Sequence, residues 1–167
     1  MVYQPKFYYL VVPIAYEPID NEVGGYHLKV ANYYVSDTLR PGFKVHPAFI
    51  NEDGLEVDYI LIGAYEASIY DTSASTYLKQ DEQVADFDKD LLCSIANVKP
   101  CSGLTQNLTS ANVEKLAKNR GGGWHSTSIK DVSMEQLLMI IELGTMNTQN
   151  GINQGVVSIT DNTLYNC

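Results

Sequence analysis

The sequence predicts an α+β fold in which antiparallel strands come first and two helices follow. Three observations predict it. Runs of aromatic and β-branched residues, bounded by Gly and Pro, fill the first half. Capped apolar patterns at helical spacing come after Thr109. The chain has 167 residues, 45% apolar and 19% charged, which is enough to bury a core without disulfides or metals.

Phe7 to Val12 reads as a strand that ends at Pro13. Only Lys6 precedes it closely and no small-residue cleavage site comes after it, so the stretch is a strand and not a signal peptide. Residues 1–25 are expected to form an N-terminal strand or leader, and residues 26–167 the main domain. Gly24-Gly25 marks a turn. Tyr26 to Val35 then alternates, with Tyr26, Leu28, Val30 and Asn32 on one side. Phe43 to His46 is a short strand closed by Pro47, and Asn51-Glu52-Asp53-Gly54 is a hairpin turn. Val57 to Ala64 is the strongest strand, its near-continuous apolar run predicting burial on both faces.

Asp71, Thr72, Ser73, Ser75 and Thr76 read as a polar loop, followed by the acids Asp81, Glu82, Asp86, Asp88 and Asp90. A short helix is expected across Val84 to Ile95. So long a stretch without clear periodicity suits a functional loop. Thr109 or Ser110 caps a helix with Val113, Leu116 and Ala117 on one face, and Gly121-Gly122-Gly123 stops it. A second helix opens on the capping box Ser133-x-x-Gln136. Leu137, Leu138, Ile140, Ile141 and Leu143 make it apolar almost all round, hence buried, and Gly144 ends it. Val156 to Ile159 reads as a last strand.

The net charge of −9 repels phosphate backbones and disfavours nucleic-acid binding. No apolar run approaches eighteen residues, so no membrane span is expected. Twelve Tyr against four Phe and one Trp is the outlier. Tyr suits strand faces, and it also suits surfaces that bind sugars or proteins.

The patterns that carry catalysis are absent from the sequence. His27, His46 and His125 have no ligand partner at helical spacing and read as structural histidines. Asp86-x-Asp88-x-Asp90 opens like a calcium loop, but Leu91 stands where Gly is needed and Asn97 where a bidentate Glu is needed. It reads as a solvated acidic face. The triple glycine follows a helix instead of opening one and lacks Gly-Lys-Ser/Thr, so a P-loop is excluded. Asn107-Leu108-Thr109 matches a glycosylation sequon, relevant only on a eukaryotic secretory route. Cys93, Cys101 and Cys167 make an odd count. A Cys93–Cys101 bridge stays open, and neither thiol reads as sitting at a helix start or in basic surroundings that would lower its pKa. Glu56 and Asp58 share a strand face without any sign of burial.

Two stretches together resemble a known family. The first is Phe43 to Ile50, with His46-Pro47-Ala48-Phe49 at its centre, then Glu56 to Ser68 with Ile62-Gly63-Ala64-Tyr65-Glu66-Ala67-Ser68 at its end. The second is Asn119-Arg120-Gly121-Gly122-Gly123-Trp124-His125, then Gln136 to Gly155 with Asn147-Thr148-Gln149 and Ile152 to Gly155. As a set they resemble the C-type-lectin-fold domain of phage tail fibres and related prophage proteins, over about residues 26–160. That fold is shared with formylglycine-generating enzymes and retroelement variable proteins.

The resemblance implies a non-catalytic receptor-binding or tip module of a tail fibre. It would sit on the virion, extracellular when functioning, and contact a glycan or protein of the bacterial surface. Its other partners would be further fibre subunits, as a homotrimer in families of this kind. Two alternatives accompany it: a purely structural fibre domain, and an enzyme of the formylglycine-generating type. The family's domain continues into a Gly- and Trp-rich second half, so the chain is expected to be incomplete at its C-terminus. The enzyme branch needs a late cysteine pair that this sequence lacks, and the calcium-and-sugar motifs of animal lectins are absent. No catalytic residue, cofactor or metal is therefore implied. Within the matched part, Tyr65 and Trp124 are expected to pack the core, and Asn147 and Gln149 to satisfy backbone groups at the second helix's end. Ligand contact is assigned to the loop from Tyr70 to Asp81, through Tyr70, Asp71, Ser73 and Tyr77.

Overall fold

A computed structural model describes residues 1–19, 25–102, 105–147 and 151–152. The strands are β1 (Val2–Pro5), β2 (Tyr8–Pro18), β3 (Tyr26–Ser36), β4 (Lys44–Val45), β5 (Tyr59–Ile62), β6 (Ala67–Asp71), β7 (Thr76–Tyr77) and β8 (Leu91–Ser94). A 3-10 turn covers Pro47–Phe49, and the two helices are α1 (Ser110–Lys118) and α2 (Ile129–Leu143). The fold is α+β, with antiparallel sheets and two helices. The chain divides into two compact units. β1 and β5 pair, and both strands run from one unit into the other.

The first unit contains residues 4–60 and α2. Its sheet has the order β3-β2-β4. β2 pairs with β3 from Tyr8↔Ser36 to Pro18↔Tyr26, and it does not stop at Pro13. β4 reaches only Tyr8 and Tyr9, so beyond them β2 has β3 as its sole neighbour among the described residues. On such an edge a residue without an N–H is harmless, and the register shifts between Pro13 and Ala15.

The unit's core forms at the base of this hairpin. Phe7 meets Phe49 edge to face at 5.3 Å, and His46 sits against Phe7 and Tyr9. α2 adds the buried Met134 and Leu137 and packs on the 3-10 turn and β3. Two expectations for this helix are corrected. It begins at Ile129, one turn before Ser133, with Asp131 in its first turn where the dipole favours an acid. It is not buried all round: Ile141 is 36% exposed, because only one face has a sheet to pack on. Its stop is as expected, with Gly144 at φ 63°.

The second unit contains β6, β7, β8 and α1, with sheet order β7-β6-β8. Ile69, Leu78, Ala85 and Leu116 form its core, with Phe87, Leu92, Cys101 and Leu108 packed against them. No helix covers Val84 to Ile95; Leu91–Ser94 is the strand β8, paired along β6. The expected polar loop at 71–76 is the turn of a tight hairpin. α1 is capped by Thr109, whose hydroxyl accepts the Asn112 N–H at 3.3 Å. β5 was expected to be buried on both faces; instead Tyr59 and Leu61 are about half exposed, alternating with half-buried Ile60 and Ile62. Apolar runs cannot distinguish one covered face from two when the strand sits in a two-stranded sheet.

Candidate functional site: the β6–β7 hairpin

Tyr70, Asp71, Ser73 and Tyr77, singled out as ligand contacts, all fall on the β6–β7 hairpin. β6 is the central strand of its sheet, with Ser68 and Ile69 fully buried, so its outer end is firmly anchored. Tyr70 pairs with Tyr77 and Asp71 with Thr76. The two Tyr rings meet edge to face at 5.1 Å, both half-buried. Beyond them Thr72, Ser73, Ala74, Ser75 and Thr76 are exposed, and Ser75 takes a left-handed φ of 53° to close the turn.

The turn is held from inside by one carboxylate oxygen. Asp71 Oδ1 accepts the Ala74 N–H at 2.9 Å, the Ser73 hydroxyl at 2.7 Å and the Ser73 N–H at 2.9 Å. Those donors hold the Asp71 carboxyl below its usual range, the Ala74 N–H contributing most.

A residue expected on a solvated acidic face fixes the turn from outside. Asp90 is 3% exposed, and its Oδ1 accepts both the N–H and the hydroxyl of Thr72, at 2.9 and 3.1 Å. Its Oδ2 accepts the Asp86 N–H at 2.8 Å. Asn119 at the end of α1 donates to the Asp90 carbonyl at 2.9 Å. The hairpin tip, the acidic stretch and α1 are thus tied through a single residue. The expected solvated acidic face is therefore corrected at Asp90, while Asp86 and Asp88 are exposed and pair with Lys89 and Lys115. The available signal was its place directly before the apolar pair Leu91-Leu92.

The other assigned residues lie elsewhere. Tyr65 does not pack the core: the residue is 57% exposed, and Ser94 Oγ holds its backbone, donating to its carbonyl and accepting its N–H, both at 2.8 Å. Trp124 is also a correction, at 37% exposed with the Arg120 guanidinium 4.3 Å from its ring centroid. Asn147 is exposed, and its N–H donates to Thr145 Oγ1. Gln149 and the strand expected at Val156 to Ile159 lie outside the described residues.

Cys93 and Cys101 are free thiols, not a bridge. Cys93 does have a basic neighbour that the sequence hid, Arg120 Nη1 at 2.9 Å. Burial still pushes the thiol pKa up, with Arg120 opposing, and burial likewise raises that of Cys101. The Glu56–Asp58 carboxylates both reach Lys6 Nζ, at 3.5 and 2.9 Å. His46 is structural: Nδ1 accepts the Ala48 N–H at 3.3 Å and caps the 3-10 turn. A groove of about 330 Å³ lies between β3 and α2, lined by Ala31 to Tyr34, Ile140, Ile141 and Gly144. Among the described residues no three His, Cys, Asp or Glu side chains gather as a metal site, and no helix is long and apolar enough to cross a membrane.

No protein-family model matches the chain, and searches of curated proteins and of solved structures find no match either.

Proposed function

We propose that this chain is a non-catalytic, C-type-lectin-like recognition module of a phage tail fibre. On this reading the β6–β7 hairpin contacts a bacterial surface component and the module works on the virion, outside the cell. The motif resemblance supplies the family. The observation that carries the site is the convergence of Tyr70, Asp71, Ser73 and Tyr77 on one hairpin braced by Asp90. An aromatic pair beside a tip of small hydroxyl residues offers apolar area for a sugar or peptide face and hydrogen bonds around it. Fixing the tip in advance lowers the ordering cost of binding.

A purely structural fibre domain is the second reading. What favours it is that Asp71 and the Ser73 hydroxyl already bond each other within the turn.

Whole-cell binding or a glycan array separates the two. The Tyr70→Ala, Tyr77→Ala double variant is expected to lose binding at least tenfold while far-UV circular dichroism stays that of the parent. Removal of the rings with no change in binding would reject this hairpin as the site. A parent chain that binds no cell or glycan favours the structural reading.

A further inference from the structure

From Lys115 to Ser128 the sequence has no acid, although the whole chain carries −9. Two bases of this stretch are already paired, Lys115 with Asp88 and Lys118 with Glu114. Arg120 is exposed and has no carboxylate partner among the described residues. Its Nη1 donates to the Leu92 carbonyl at 3.3 Å and to Cys93 Sγ at 2.9 Å, and the guanidinium lies 4.3 Å from the Trp124 ring centroid. The group is thus held in place, while its Nε and Nη2 hydrogens meet no acceptor among the described residues. That edge is the planar two-pronged fork that matches a carboxylate. The loop beside it is open and tied at both ends. A Cβ at Gly121, Gly122 or Gly123 would meet nothing within 4 Å. Asn119 on one side is bound to the Phe87 and Asp90 carbonyls. Ser126 on the other is bound twice to Glu114 Oε2, at 3.0 and 2.8 Å. The last carbonyls of α1, at Lys115, Ala117 and Lys118, are taken by the N–H groups of Asn119, Arg120 and Gly121, which softens the negative end of the helix.

We propose that Arg120 and Trp124 form a binding site for the carboxylate of an acidic sugar, the fork taking the carboxylate and the indole the apolar face of the sugar ring. Charge and shape select this ligand. A neutral sugar would leave the fork unused. A phosphate dianion or a polyanion brings more negative charge into the field of a −9 chain than one carboxylate does. Two carboxylate oxygens lie in one plane, as the two donors of the fork do. Trp124 is 37% exposed, which leaves indole surface for the C–H face of a pyranose beside the open glycines. Because the guanidinium is fixed before the ligand arrives, little ordering cost falls on binding. The site lies apart from Tyr70, Asp71, Ser73 and Tyr77 and holds whether or not the β6–β7 hairpin binds a receptor.

Trp124 is the only Trp of the chain, so its fluorescence reports this site alone. Titration of the full chain with D-glucuronate at low salt is expected to change that fluorescence saturably, with a Kd of ~1–10 mM. Added salt should weaken it, since the fork is at the surface. D-glucose should bind at least tenfold more weakly. Arg120→Lys keeps the charge but lacks the fork, and is expected to weaken glucuronate binding roughly tenfold. Should that variant misfold by circular dichroism, Trp124→Ala serves in its place, read by the nuclear magnetic resonance shift of the Arg120 Nε–H, and should weaken glucuronate by a similar factor. Tyr70→Ala with Tyr77→Ala should leave glucuronate binding unchanged; its loss there would move the ligand to the hairpin and overturn the proposal. No response to glucuronate up to about 50 mM overturns it as well. So does equal binding of glucose, or full binding by the Arg120→Lys chain. Inorganic phosphate that binds as tightly as glucuronate would overturn the sugar carboxylate as ligand and assign the fork to phosphate.

Discussion

Asp90 shows how one side chain can organise a region whose sequence looks merely acidic. Its two oxygens accept three hydrogen bonds in a buried setting, from Thr72 twice and from Asp86. Asn is nearly the same shape, but its NH₂ group would meet a backbone N–H. Asp90→Asn is therefore expected to cost about 2 kcal/mol, the range for a buried hydrogen bond to a charged group turned against a donor. Urea unfolding measures it. A loss below a few tenths of a kcal/mol would show that the brace carries no stability. The sequence marked the acidic run but not which carboxylate faces inward, since the three aspartates alternate identically at period two.

At the scale of elements, local chemistry predicted ends better than faces. Thr109 was legible as a cap because a hydroxyl before an apolar three-four pattern satisfies an orphan N–H of the first turn. Thr109→Ala is expected to destabilise the chain by about 1 kcal/mol, read from the urea midpoint at unchanged slope. Gly144 and the Asn51–Gly54 turn were legible for the same kind of reason, with Gly54 at φ 78°. The β6–β7 hairpin was not. Its strands hold five and two residues, and its turn closes on Ser75 at positive φ where glycine would have been the signal. The residues proposed for ligand contact were chosen by composition, Tyr and hydroxyls together, without any knowledge that a hairpin would gather them.

Across the whole molecule, stability should fall in two steps on acidification. Burial against Phe7 and Tyr9 lowers the His46 pKa below the ordinary 6.5, with Asp131 opposing. The unfolded chain then binds the proton first, so stability is lost as pH falls below about 6.5. Asp71, Asp81, Asp86 and Glu114 are held below their usual range by hydrogen bonds and lysines. Their contribution is present above about pH 4 and is lost as pH falls through the lower folded values. Urea midpoints between pH 8 and pH 3 should show both steps. His46→Asn, whose amide oxygen can still accept the Ala48 N–H, should remove only the upper one; an upper step that persists in this variant belongs to another group.

The sequence by itself determined the class of fold, the strand-then-helix order, the cap of α1 at Thr109–Ser110 and the Gly144 stop of α2, because each depends on residues within a few positions of one another. It also brought Tyr70, Asp71, Ser73 and Tyr77 forward as a group. Only the tertiary structure decided which apolar side chains are covered: among the described residues Tyr16 and Tyr26, Tyr65 and Trp124 stand exposed, and Asp90 turns in. Burial depends on what lies across from a residue, and neighbours such as Thr72 and Asp90, eighteen positions apart, meet only once the chain has folded.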